Sequence, residues 1–168
     1  MVTVVVVQIP RNMVMEGIKL CLDNAERYVK DLELLRQNRS IEHAVVMAIF
    51  ACEEMAKAYI LFEHFKQESD GDFIGVSKKL FEDHEYKMKT AEKVLGINLY
   101  LDSSRLPVRI PFRLGAPDVK ASPKLRLQCA FVDFRDGSWK FGTEHNPHYF
   151  TFLLKAIQDK IDSLRSKL

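Results

Sequence analysis

The sequence is poor in cysteine, almost balanced in charge and without a long uncharged apolar run, and each shortage removes a class of protein. Its three cysteines, Cys21, Cys52 and Cys129, lie far apart with no CxxC pair, which argues against a disulfide framework or a zinc site. Cys21 and Cys52 fall in apolar helical patterns and Cys129 in an apolar strand pattern. They read as reduced core thiols in a reducing, cytoplasmic compartment. Net charge is +2, from 25 Lys and Arg against 23 Asp and Glu, so the chain as a whole is not a strongly basic nucleic-acid binder, although local patches stay open. A membrane span needs roughly 20 apolar residues without charge. The nearest approach, Ala44–Phe62, is interrupted by Glu53, Glu54 and Lys57, and no membrane partner is expected. Met1–Pro10 lacks the positive start, the long apolar run and the small-residue cleavage site of a secretory leader. It is expected to be a short strand or strapping segment. No internal repeat, low-complexity tract or second domain is visible, and residues 1–168 are read as a single domain able to bury a core.

What is present is helical. Val14, Ile18, Cys21, Ala25, Tyr28, Leu32 and Leu35 alternate steps of four and three, the seam of a helix packed along a partner. Asn38, Arg39 and Ser40 form the connector, with Ser40 placed to cap the second helix. That helix, about Ile41 to Glu68, is apolar on nearly every face from Ala44 to Phe62 and should be the central one. After the Ser69–Asp72 break, a third helix is expected from about Val76 to Leu95, with Phe81, His84, Met88, Ala91 and Leu95 on its seam and Gly96 just past its end. Residues 97–123 lose periodicity and carry Pro107, Pro111, Pro117 and Pro123, which reads as loop. Next, an Asp136-Gly137 turn predicts a hairpin that pairs Phe134 with Trp139, Asp133 with Lys140 and Val132 with Phe141. Asn146-Pro147 then starts a last helix with the stripe Phe150, Leu153, Ile157, Ile161, Leu164 and Leu168. The expected fold is mainly α: a four-helix antiparallel bundle with a small β-hairpin inserted before the last helix.

The sharpest anomaly is Glu53, Glu54 and Lys57 in the middle of the most apolar helix. Lys57 is four residues from Glu53 and three from Glu54, so one ammonium could serve both carboxylates. An unpaired buried charge costs several kcal/mol, so partners are required. His84 occupies a seam position on the third helix with Lys87 one turn on, and antiparallel packing would face Glu54 with His84. Glu54, Lys57, His84 and Lys87 are thus the candidate catalytic cluster, with His84 as acid/base, Lys57 or Lys87 as phosphate clamp and Glu54 as orienter. The same residues could equally form a salt-bridge network that fixes helix register. No Glu-x-x-His pair, HExxH, GxxxxGK[ST] or GxGxxG occurs, and neither a metal nor a cofactor is expected. Arg105, Arg109, Arg113, Lys120, Lys124 and Arg126 oppose Asp118 alone in residues 105–126, a patch that could grip RNA phosphates or be a solvated loop.

The run Ala44 to Ala58 around Glu53-Glu54-Met55-Ala56-Lys57, with Ser40 and His43 before it, resembles the signature helix of the AbiV family of abortive-infection proteins in phage defence. Phe81-Glu-Asp-His84-Glu-Tyr-Lys87 looks like that family's second motif, and Ala130–Trp139 is similar to its short hairpin. The resemblance implies a HEPN-like bundle, often a homodimer, acting in defence by binding a phage or translation-related protein. Many HEPN domains are metal-independent ribonucleases with an Arg-x4–6-His motif. Here Arg39 and His43 stand one residue too close, and the motif is read as absent. Two other readings stay open: a metal-independent endoribonuclease, and a nucleotide- or small-molecule-binding bundle with a pocket beside Glu54 and His84.

Overall fold

The computed structural model describes residues 5–67, 71–96, 132–135, 138–141 and 147–168, with side chains except at Glu42, the 132–141 strands and residues 147–151. Its elements in chain order are β1 (Val6–Pro10), α1 (Arg11–Gln37), α2 (Ile41–Gln67), β2 (Phe73–Ser77), α3 (Lys79–Glu82), α4 (His84–Leu95), β3 (Val132–Arg135), β4 (Ser138–Phe141) and α5 (Pro147–Arg165). The fold is mainly helical, as expected. No described helix is long and apolar enough to cross a membrane.

A three-residue connector folds α1 back on α2, and these two helices share the largest interface. Arg39 sits in the left-handed region at φ 59°, which turns the chain sharply between them. At the other end Arg11 ties the pair together. Its guanidinium stacks 4.3 Å over the Phe65 ring and donates to the Phe65 carbonyl at 2.9 Å. The buried line on α1 is Val14, Ile18, Leu22, Ala25, Val29 and Leu32. Leu22 and Val29 thus replace Cys21 and Tyr28 at the centre of the expected seam, while Cys21, Tyr28 and Leu35 are half-buried at its margin.

The all-round apolar pattern of α2 has the expected result. Ala48, Ala51, Met55, Ala58 and Phe62 are buried, and the helix packs against α1, α4 and α5. Leu153, Ile157, Ile161 and Leu164 of α5 close the core, whereas Leu168 is exposed. Pro147 is the first helical residue of α5, where its missing N–H costs nothing.

The third helix is corrected. Residues 73–77 form a strand antiparallel to β1, with Val7 opposite Val76 and Ile9 opposite Ile74, and Ile74 and Val76 fully buried. A short helical turn follows, and α4 starts afresh at His84 because Asp83 caps it: the Asp83 carboxylate accepts from Tyr86 N at 3.0 Å. Phe81, outside α4, is exposed. Gly96 ends α4 at φ 65°, the left-handed position that a residue with a Cβ adopts only with strain.

The hairpin has the expected register, Val132 with Phe141, Asp133 with Lys140 and Phe134 with Trp139. Its turn residues Asp136 and Gly137, the expected loop and basic patch in residues 97–126, and Cys129 lie outside the described residues.

Candidate functional site

Consecutive residues on an α-helix point about 100° apart, so Glu53 and Glu54 must answer to different neighbours. The structure separates them. Glu53, nearly sealed from solvent, faces α4, where its carboxylate accepts from His84 Nδ1 at 2.7 and 2.8 Å and from Lys87 Nζ at 3.0 Å. Glu54 faces α1 instead, where it hydrogen-bonds the Cys21 thiol and accepts from Lys57 Nζ at 2.6 Å. The expected cluster of Glu54, Lys57, His84 and Lys87 is therefore two sites on two sides of α2. The carboxylate bonded to His84 is Glu53, one residue earlier than expected, and among the described residues Lys57 pairs with Glu54.

Local structure explains how α4 presents its half of the site. The Asp83 cap makes His84 the first residue of the helix and Lys87 the residue one turn on, so both reach the same side. A carboxylate only accepts, so His84 Nδ1 donates to it and the ring orientation is fixed. Its ring is about one-third exposed, with the side chain at 34%, while Lys87 is at 5%. A buried carboxylate orienting a part-exposed imidazole is an arrangement that general bases use, and it is also what a charge-balanced tie between two helices requires.

Cys21 and Cys52 lie in surroundings that disfavour the thiolate. Burial pushes Cys21 up to about 11, against the opposing pull of Lys57 and with the Glu54 charge and hydrogen bond adding to it. Full burial, with the Glu53 charge beside it, pushes Cys52 up to about 12. Both are free and stay protonated in neutral solution. An open groove of about 570 Å³ lies at the far end of the helix pair, lined by Arg11, Asn12, Met15, Phe65, Gly71 and Asp72, and includes none of the charged cluster.

One pair of residues needs a second correction. Arg36 and His43 are separated by six residues, so an Arg-x6-His spacing is present, contrary to the expectation that the motif is absent. Arg36 closes the last turn of α1 and His43 lies in the first turn of α2, exposed, with Ser40 Oγ 2.9 Å from its Nδ1. This corner of the α1–α2 turn is distinct from the Glu53 site, which lies further along α2.

No curated protein and no solved structure matches the chain. The HEPN_AbiV family model, described as AbiV, matches residues 13–155, a span that takes in α1, α2, the Glu53–His84–Lys87 site and the hairpin, and the chain belongs to this family of HEPN-like abortive-infection proteins.

Proposed function

We propose that this protein acts in phage defence by binding a phage or translation-related protein, with its charged core serving to hold the helices in register. The observation that supports this reading is the state of Glu53: a carboxylate 6% exposed, taken up by one imidazole and one ammonium, each contributed by α4. Such a group is satisfied where it stands, and its partners are committed to it.

A specific observation favours a second reading, metal-independent RNA cleavage. Arg36, half-buried, and His43, exposed, carry the spacing of HEPN ribonucleases at the α1–α2 corner, where the start of α2 adds the positive end of a helix dipole suited to a phosphate. His43 would then draw the proton from a ribose 2′-hydroxyl, and Arg36 would steady the phosphate.

Purified protein incubated with labelled RNAs in EDTA, beside plaque counts on cells carrying each variant, decides between them. The binding reading expects no cleavage by the wild type and full protection by His43→Ala and Arg36→Ala. Cleavage that His43→Ala removes, together with loss of protection, overturns it in favour of the nuclease. His84→Gln keeps a donor toward Glu53 and should retain both fold and protection under either reading.

A further inference from the structure

We draw no further inference here: the strongest candidate, the Ser40–His43 pair at the α1–α2 corner, belongs to the site already described under the ribonuclease reading, and among the described residues no feature besides that helix start points to a ligand.

Discussion

Lys87 Nζ stands 3.0 Å from Glu53 Oε2, and these side chains are 5% and 6% exposed. Charges this deep are stable as a pair and costly apart. Lys87→Met should therefore lower unfolding free energy by about 3–5 kcal/mol, because it leaves Glu53 buried with His84 as its remaining partner. Adding Glu53→Leu should restore most of the loss. Urea midpoints of the single and double variants check this, and a double variant no more stable than Lys87→Met would show that the pair is not what couples α2 to α4.

The start of α4 depends on Asp83, whose side chain accepts from Tyr86 N. Asp83→Ala should cost about 1 kcal/mol, the usual worth of a helix cap, and Asp83→Asn much less. Because His84 follows directly, Asp83→Ala should also broaden the His84 imidazole resonances in a nuclear magnetic resonance spectrum as the first turn frays. A sharp, unshifted His84 signal would separate the cap from the site.

Most of the helical framework could be read from the sequence, and the failures have identifiable causes. The centrality of α2 follows from apolar residues on every face, which no exposed helix tolerates. The hairpin register follows from a turn of fixed length, which leaves only one pairing. The expected third helix follows Phe81, His84, Met88, Ala91 and Leu95, whose helical spacing runs straight across the Asp83 cap that starts α4. The alternation of buried Ile74 and Val76 with less buried neighbours spans too few residues to compete with that run. The choice between Glu53 and Glu54 depended on where α4 crosses α2. Adjacent residues on one helix carry no sequence signal for that, and the structure pairs His84 with Glu53 where the sequence leads one to expect Glu54.

Arg165 reaches from the last turn of α5 to Asp23 at 2.6 Å and Glu26 at 2.8 Å on α1. The hydrogen bond from Arg165 holds the Glu26 carboxyl below its ordinary 4.5. A group lowered in the folded state contributes stability that is present above its ordinary value and lost as pH falls through the folded one. Arg165→Ala should cost about 0.5–1 kcal/mol at low salt, since these groups are partly exposed and screened. Thermal melts should show the difference between wild type and variant shrinking below about pH 4.5 and in high salt.

Cys21 and Cys52 behave in the opposite sense. Both are raised above the ordinary thiol value of 9.0, to about 11 and about 12. Their contribution is complete below pH 9 and is lost as pH rises through the folded values, so an alkaline limb should begin there. In a Cys129→Ser background, native protein near pH 8 should leave a chromogenic disulfide reagent unreacted, whereas urea-unfolded protein should release both thiols. Rapid reaction of the native state would mean that one of these side chains reaches solvent.

The seat of α5 on α1 also dictates an order of events. The α1–α2 pair is joined by a connector so short that it can close while the rest of the chain is still being synthesised. Arg165 and Asp23, by contrast, are 142 residues apart, and nothing can join them until the ribosome has released the last helix. During elongation the apolar surface of the helix pair that α5 packs against therefore lacks that helix. A ribosome-bound chain ending before Pro147 should attract chaperones that bind apolar surface, and one long enough to expose Arg165 outside the exit tunnel should shed them.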